Sequence, residues 1–426
     1  MRSTLAFKPI AICALALLVS WQIVTRTLVA YLVTASPDFA RSLAPDDPQV
    51  LLALASDAAD GLMRAHQASL NGAKSDSPLV DKGQLKRWAV AAIAAAPVNP
   101  TALRILGQLA SAEGDDLSAD ALMTRAAHLS RQETPALLWL LSRAYNAGDV
   151  PSIIRYADAL LSTRALSQPV APVLASLAAT TKGRAALQEL LATNPRWRSE
   201  FFAALPNAVT DARLPLMLLT GLHDTSAPAK SADFQPYLRF LENRKLYELA
   251  YYAWLQSLDE SQLARAGMLY NGGFDHASIG GPFDWTLNTG TGVLAEMTPG
   301  PDVVGKQALR IEFTVGRVEF GNVSQMILLA PGAYTLTGKF RGELNGRRPL
   351  EWQIACVGSE GDPIGHQAFL GTERLWQDFS ASFKVPAENC RAQTVRLVHA
   401  ARSSSEQFIT GIAWFDDLKI TAVTAE

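Results

Sequence analysis

The residue types that most often carry out catalysis are scattered in this sequence. Its six histidines share no common spacing; they are His66, His128, His223, His276, His366 and His399. No GxSxG, HExxH, Walker or dinucleotide-binding motif occurs in it. A glycosidase would need two carboxylates about 5–9.5 Å apart in a cleft, one with a raised pKa. Because no segment resembles such a catalytic signature, the sequence predicts a protein that is not an enzyme.

The composition excludes several other classes of protein. The chain has 426 residues, of which 49% are hydrophobic and 18% are charged. A typical soluble domain has about 25% charged residues, so intrinsic disorder is excluded and apolar material is ample. The formal net charge of −2 gives no basic surface for nucleic acid. The length suits two or three domains.

An apolar, uncharged run extends from Pro9 to Thr25, after the basic residues Arg2 and Lys8. The run resumes after Arg26, so that it approaches the roughly 20 residues that span a bilayer. We expect this segment to be an uncleaved membrane anchor. A cleaved signal peptide and a buried soluble helix are the alternatives. Basic residues at the amino end favour an orientation with that end in the cytoplasm, although Arg26 and Arg41 oppose this orientation.

Glycine usage changes abruptly along the chain. Residues 1–266 contain eight glycines, whereas the remaining 160 residues contain twenty of the 28. Glycine is tolerated in turns and penalised in helices. Three regions therefore follow: a membrane anchor or signal segment over 1–35, a helical region over 36–266 and a β domain over 267–426.

Part of the helical region repeats at an interval of 34 residues. Gly114-Asp115 recurs as Gly148-Asp149, and Ala102-Leu103 recurs as Ala136-Leu137. A period of 34 is typical of tetratricopeptide repeats, which are pairs of helices. The run AAIAAAPVNPTAL at 91–103 resembles the junction between two such repeats. The expected large aromatics are mostly missing, so we predict a degenerate repeat solenoid, with generic helical hairpins as the alternative.

The ends of the glycine-rich region carry a family resemblance. After Met268 the chain reads LYNGGFDHASIGGPFDWTL, and residues 411–420 read GIAWFDDLKI. These segments, with LAPGAY at 329–334 and the spacing of Trp376, Phe379, Phe383 and Pro386, resemble carbohydrate-binding modules of families four and nine. The resemblance implies a galactose-binding-like β-sandwich of the jelly-roll type. Seven expected strands are 308–315, 323–329, 334–341, 350–356, 379–385, 394–399 and 411–420.

This resemblance also implies a site for a saccharide on a sheet face or at loop tips. Such a site needs an aromatic side chain for the apolar sugar face and planar polar groups for hydroxyls. We nominate Arg341 and Gln353 for hydrogen bonding, and Trp352, Trp376 or Trp285 for stacking. The parity of Trp352 with Ile354 and Cys356 also allows a core position. Trp285 could close the end of the sandwich, and Arg341 could pair with Glu312.

The family resemblance brings the first and last strands together. Asp275 would then lie near Asp416 and Asp417, and hard oxygen ligands there suit a structural calcium ion. Ordinary hydrogen bonding at strand ends is the alternative. No other cofactor is expected.

The sequence has three cysteines, of which Cys13 lies in the apolar run. Cys356 and Cys390 lie in one β-rich domain of an exported chain, which predicts a disulfide. Two unrelated buried thiols are the alternative. Neither cysteine has a CxxC partner, so a zinc site is not expected.

Together these observations predict a single-pass protein of a bacterial inner membrane, with its bulk in the periplasm. Its helical repeats would bind a protein partner, and its sandwich would bind polysaccharide. The order of the regions resembles proteins that accompany exopolysaccharide synthesis or export. The alternatives are a structural adaptor, whose sandwich binds protein and not sugar, and a glycan-modifying enzyme.

Overall fold

The computed structural model of the protein describes residues 7–70, 81–163, 167–301, 307–359 and 362–423. For residues 7–14, 62–70 and 167–169 only the backbone is described. Arg2 and the side chain of Cys13 therefore lie outside the described part. The chain divides into two compact units, Met1–Leu177 and Ala178–Glu426.

The first unit is helical. Its elements are α1 (Phe7–Ala35), α2 (Pro37–Leu43), α3 (Pro48–Leu70), α4 (Lys82–Ala95), α5 (Pro100–Glu113), α6 (Asp116–Leu129), α7 (Thr134–Ala147) and α8 (Val150–Ser162), and α9 (Ser167–Ala178) follows. In α1 the stretch Leu15–Ala35 is long and apolar enough to cross a membrane. A signal sequence meets the same criterion.

The 34-residue period of the sequence is a period of helical hairpins. Helices α5 and α7 begin 34 residues apart, and so do α6 and α8. Gly114 and Gly148 end the first helix of each hairpin in the left-handed conformation, with φ of 79° and 65°. Asp115 and Asp149 then cap the second helix through their side chains. The tetratricopeptide assignment itself stays a prediction.

A buried arginine connects successive hairpins. Arg104 on α5 is 2% exposed. Its guanidinium contacts Asp60 on α3 at 2.9 Å and Glu133, which precedes α7, at 3.0 Å. Ser56 and Gln108 accept further hydrogen bonds from it. The charge is therefore buried with its partners, as a buried ion needs to be.

Over its described residues, the second unit begins with six α-helices and continues with ten strands. The helices are α10 (Thr181–Leu191), α11 (Arg198–Ala208), α12 (Leu214–Thr220), α13 (Ser231–Asn243), α14 (Tyr247–Leu255) and α15 (Glu260–Leu263). The strands are β1 (Thr286–Asn288), β2 (Val293–Pro299), β3 (Gln307–Phe313), β4 (Asn322–Ile327), β5 (Gly332–Gly346), β6 (Leu350–Cys356), β7 (Gly365–Phe369), β8 (Gly371–Val385), β9 (Gln393–His399) and β10 (Ile409–Ala422).

The strands form two antiparallel five-stranded sheets. The first sheet has the order β1-β4-β9-β6-β7, and the second has the order β2-β3-β10-β5-β8. Side chains from both sheets meet in one core. Trp352 on β6, for example, packs edge-to-face on Phe415 of β10, with the ring centres 5.5 Å apart. The expected β-sandwich is present, whereas its jelly-roll classification stays a prediction.

The alternation of the strands agrees with the sequence in most places. On β5 the residues Tyr334, Leu336 and Phe340 are buried, as their period of two predicts. The expected strand 308–315 is too long: β3 ends at Phe313, and Val315 is 94% exposed. The three strands β1, β2 and β7 were not predicted.

Cys356 and Cys390 form the predicted disulfide. The bond joins the end of β6 to the segment that precedes β9. Gln393 donates a hydrogen bond to the carbonyl oxygen of Cys390. The bridge therefore closes the long excursion that carries β7 and β8.

Aromatic rings join helix α14 to the sandwich. The Trp254 ring packs edge-to-face on Tyr270, 5.1 Å away, and Tyr251 packs in the same manner on Phe283. Arg391 and Glu248 add an exposed ion pair. The aromatic residues Tyr251 and Trp254 of α14 therefore form a seam against the β region.

Candidate functional site

A groove of about 540 Å³ lies on the outer face of the second sheet. Its walls come from β5, β8 and β10. Arg341, Glu343 and Asn345 line it from β5, where they alternate with the buried Phe340 and Leu344. Such alternation turns every second side chain of a strand to solvent. The groove is consequently built on rigid strands.

Trp414 is the aromatic side chain of this groove. It lies on β10 between the buried Ala413 and Phe415, so its ring is on the outer face and is partly exposed. Its cross-strand partners are Arg310 on β3 and Arg341 on β5. The groove is lined by β5, β8 and β10, whereas Arg310 lies on β3, the neighbour of β10 on its other side.

Arg310 packs against the Trp414 ring. Its guanidinium carbon lies 5.8 Å from the ring centre, within the range of a cation–π contact. Glu296 holds the same guanidinium at 2.8 Å, and Glu312 binds its second terminal nitrogen. The arginine is therefore fixed on two sides and holds the tryptophan in place.

Polar side chains surround the remaining rim of the groove. Glu373 and Arg374 contribute from β8, and Thr410 contributes from β10. Both carboxylates of the groove, Glu343 and Glu373, are on exposed residues. Carboxylates, amides and guanidinium groups are planar and offer paired hydrogen-bonding atoms. The arrangement combines one aromatic surface with several planar polar groups.

A close approach of two strands forms the floor. Gly411 has a φ of 115°, and a Cβ built on it would lie 1.8 Å from the carbonyl oxygen of Glu343. No side chain fits there without displacing backbone. The glycine therefore allows β10 to lie close to β5 beneath the groove.

Two of the nominated tryptophans are core residues, and we correct their assignment. Trp285 is 1% exposed and Trp352 is 0% exposed. Their rings contact each other with centres 5.6 Å apart, and Phe274 packs on Trp285. Because these faces are occupied by the core, a ligand cannot stack on either ring.

The other nominated residues divide between the two sheets. Arg341 lines the groove, and Trp376 on β8 shares its outer face, where it donates to the carbonyl oxygen of Pro301. Gln353 lies on β6 of the first sheet, pairs with Arg396 in register and donates to Glu351. Since packed sheets are about 10 Å apart, Gln353 and Arg341 face opposite sides of the sandwich.

The predicted calcium ligands separate as well. Asp275 and Asp416 both approach Gly273, with oxygens 3.2 and 3.8 Å from the position of a Cβ there. Asp417 instead pairs with Lys339 at 2.7 Å and raises the pKa of that amine. Across the described ranges, no group of three or more acidic, histidine or cysteine side chains could hold a metal ion. The donors near Gly273 are hard oxygens, but the side chains supply only these two carboxylates.

Trp414 belongs to the motif GIAWFDDLKI at 411–420 but is not among the residues expected to bind a saccharide. Its parity gives the missing signal, because its two neighbours Ala413 and Phe415 are buried, and the strand changes register only after Asp416. A tryptophan out of phase with such a buried set lies on the solvent face. The same argument selects Glu343, which follows Arg341 on the outer face of β5.

No family model matches the chain, and no curated protein matches it. Several solved structures are similar over little more than a third of the chain. A CBM4 module is 16% identical, over 36% of this chain and 99% of that module, with a TM-score of 0.28. The CBM22-1 xylan-binding domain from Paenibacillus barcinonensis is 17% identical, over 36% and 94%, with a TM-score of 0.25. A CBM61 module in complex with β-1,4-galactotriose is 16% identical, over 37% and 99%, with a TM-score of 0.26.

Proposed function

We propose that the protein is a non-enzymatic saccharide-binding protein and that the groove on the second sheet is its binding site. The single observation that supports this function most is the position of Trp414. Its ring is partly exposed, lies close to the guanidinium of Arg310 and borders planar polar side chains. An aromatic ring stacks on the apolar face of a sugar, while planar groups bind its hydroxyls.

An alternative function for the same groove is glycoside hydrolysis. Glu343 and Glu373 both line it. A catalytic acid of that kind is a carboxyl group that its surroundings shield from water, whereas both glutamates are exposed. We therefore assign them to hydrogen bonding with sugar hydroxyls.

The rest of the chain supports a role at a membrane. Leu17 and Trp21 of α1 are about 70% exposed (72% and 70%), as lipid-facing residues are. We propose that α1 anchors the protein in a bacterial inner membrane, with the bulk of the chain in the periplasm. The 34-residue hairpins would act as a tetratricopeptide-type surface for a protein partner. Together these parts suit an accessory of exopolysaccharide synthesis or export.

The binding function is tested on the full-length protein in detergent. We expect a soluble exopolysaccharide to quench tryptophan fluorescence and to retard the protein in affinity electrophoresis. Trp414→Ala should weaken both effects strongly, whereas Tyr252→Ala, which removes an exposed aromatic from α14, should leave them unchanged. Equal binding by the wild type and Trp414→Ala would refute the assignment.

The topology is tested with a reporter fused after Glu426. A reporter that is active only outside the cytoplasm should show activity. Activity of a cytoplasmic reporter at the same position would refute the proposed orientation.

One observation favours the adaptor alternative. Helix α14 already packs on the β region through Trp254 and Tyr270, so this sandwich binds helices. If no polysaccharide binds and a protein of the same envelope complex copurifies with the full chain, the sandwich serves assembly. In that case Trp414→Ala should weaken the copurification.

Calcium stays a proposal for the region around Gly273. The carboxylates of Asp275 and Asp416 would be two of its ligands, and backbone carbonyls and water would complete the six to eight oxygens it prefers. Removal of calcium with a chelator should then lower the unfolding temperature, and Asp275→Asn should remove that effect. An unchanged unfolding temperature after chelation would exclude a structural calcium.

A further inference from the structure

A second cavity, of about 410 Å³, lies between α13 and the outer face of the first sheet. We refer to it as the cleft. All of its lining residues belong to the second unit. Its polar side chains are those of Gln235, Arg239, Glu242, Thr286, Ser324 and Thr394. The first three follow one another at spacings of four and three residues, so they lie on one face of α13.

The sheet side of the cleft is a group of hydroxyls on neighbouring strands. Thr286 on β1 is the cross-strand partner of Ser324 on β4. Ser324 in turn pairs with Arg396 on β9. Directly paired side chains lie on the same face, about 4.5–5.5 Å apart. The hydroxyls of Thr286, Ser324 and Thr394 line the cleft, where they can donate hydrogen bonds to a ligand and accept them from it.

The helix side contains a carboxylate that the protein does not satisfy. Glu242 is half-buried, and burial raises the pKa of its carboxyl group. Over the residues for which side chains are described, neither Glu242 nor Arg239 takes part in an ion pair within 4 Å. A half-buried carboxylate without a protein cation beside it can accept hydrogen bonds from a ligand in the cleft. A donor from a ligand would supply the partner that Glu242 lacks.

The remaining wall of the cleft is a rigid loop. Gly280 and Gly281 have φ of 82° and 98°, and a Cβ on either would lie 3.4 Å from the Gln235 side chain. The loop is held by Asp284, which is fully buried and accepts from the backbone nitrogens of Ile279 and Trp285, each at 2.7 Å. The cleft therefore exists without rearrangement of the chain, which lowers the cost of binding.

We propose that the cleft binds a second saccharide unit, namely a neutral pyranose ring. It contains one acidic and one basic side chain, Glu242 and Arg239, so neither a cationic nor an anionic ligand gains net attraction. A ring with vicinal hydroxyls can donate to the carboxylate and accept from the guanidinium at the same time. The hydroxyls of Ser324 and Thr394 both donate and accept, and they match the remaining sugar hydroxyls.

This second site lies on the opposite sheet from the groove, so it goes beyond the function proposed above. Binding in the cleft does not need Trp414, and binding in the groove does not need Glu242. The two sites can therefore be tested separately in one set of variants.

The test uses the full-length Trp414→Ala protein in detergent micelles, so that the groove is removed. Saturation-transfer NMR measures the binding of methyl glucoside, glucosamine and glucuronate as neutral, cationic and anionic probes. We expect the neutral probe to bind at least as tightly as either charged probe. Glu242→Gln, which keeps the shape of the side chain, should weaken the neutral probe by about tenfold, the loss expected for a hydrogen bond to a charged group.

Glu189→Gln is the matched control, because Glu189 is an exposed glutamate on α10, and it should change nothing. A bulky Ser324→Leu variant should block the neutral probe altogether. The proposal is overturned if methyl glucoside does not bind the Trp414→Ala protein or binds Glu242→Gln equally well. It is also overturned if glucosamine or glucuronate binds about tenfold more tightly than methyl glucoside, since the cleft would then select charge.

Discussion

The guanidinium carbon of Arg310 lies 5.8 Å from the centre of the Trp414 ring, and Trp414, unlike Arg310, lines the groove. Arg310 is therefore a positioning residue, while Trp414 would contact the ligand. We expect Trp414→Ala to weaken polysaccharide binding by about tenfold or more, because about 1.5 kcal/mol of aromatic contact is lost. Arg310→Met should weaken it less.

The measurement is a titration followed by tryptophan fluorescence. Thr335→Ala, on the outer face of the same sheet but away from the groove lining, is the control and should bind as the wild type does. A larger effect from Arg310→Met than from Trp414→Ala would contradict the positioning role.

The aromatic seam, and not the ion pair beside it, should hold α14 on the sandwich. Trp254 is 1% exposed, so Trp254→Ala should lower the free energy of unfolding by about 3–5 kcal/mol. Glu248→Gln removes the ion pair with Arg391, whose side chains are 58% and 64% exposed, and should cost at most about 1 kcal/mol. Hydrogen exchange of the α14 amides measures the effect of each variant. Equal increases in exchange for Trp254→Ala and Glu248→Gln would contradict the larger contribution of the aromatic seam.

Arg104 should be needed for the stacking of the helical hairpins. Arg104→Met would leave Glu133 without its cation, and Glu133 is only 13% exposed. We expect a loss of about 3 kcal/mol, at the low end for a broken buried pair, because Asp60 is 41% exposed and keeps water as a partner.

Hydrogen exchange over α5 and α7 measures this change. The double variant Arg104→Met with Glu133→Gln should recover part of the stability, since the uncompensated charge is then gone. No recovery would indicate that the arginine acts through its packing instead.

The disulfide should stabilise the sandwich by roughly 3–4 kcal/mol according to the loop-entropy relation. It joins residues 34 positions apart. The Cys356→Ala and Cys390→Ala double variant should therefore unfold at a lower temperature than the oxidised wild type. Reducing agent should lower the unfolding temperature of the wild type and leave that of the variant unchanged. A wild type that does not respond to reduction would argue against the bond.

His399 should make the second unit less stable in acid. Burial lowers the pKa of this imidazole, and its Nε2 atom has no hydrogen-bond partner within the described residues. The unfolded chain therefore binds a proton near the ordinary pKa of about 6.5, at which the folded chain resists protonation. The contribution of neutral His399 to the free energy of unfolding is therefore complete above the pKa of the unfolded state. It is lost as the pH falls from that value through the lower pKa of the folded state.

Urea unfolding at pH 7.5 and at lower pH values measures this loss. His399→Gln should flatten the dependence, while His366→Gln, at an exposed position, should not. An unchanged slope in His399→Gln would assign the effect to another group.

The sequence predicted those parts of the fold that depend on local patterns. The helical hairpins followed from the 34-residue interval, because Gly114 and Gly148 are positions where a left-handed residue ends a helix. The bounds of β6, Leu350–Cys356, were predicted in full, since its alternation is regular. The edge strand β7 was missed because it has five residues and only its ends, Gly365 and Phe369, are buried.

The candidate site was less accessible to sequence reasoning. Arg341 could be placed on an outer face by parity alone, but nothing local assigns it to the same sheet as Trp414 and a different sheet from Gln353. Strand order depends on pairing between distant segments, such as β5 with β10. Tryptophan suits both a hydrophobic core and a stacking contact with sugar, so Trp285 and Trp352 fit either role by sequence. The contact between their rings in the core distinguishes the two roles.

The seam on α14 has a practical consequence for anyone who expresses the β region alone. A recombinant fragment that begins at Gly267 would strip Tyr270 and Phe283 of the rings of Tyr251 and Trp254 that cover them. Aromatic surface that becomes exposed to solvent favours self-association. On a glycan array, such self-association would give a signal that resembles weak ligand binding. Cloning from Ala178, where the second compact unit begins, keeps that surface covered.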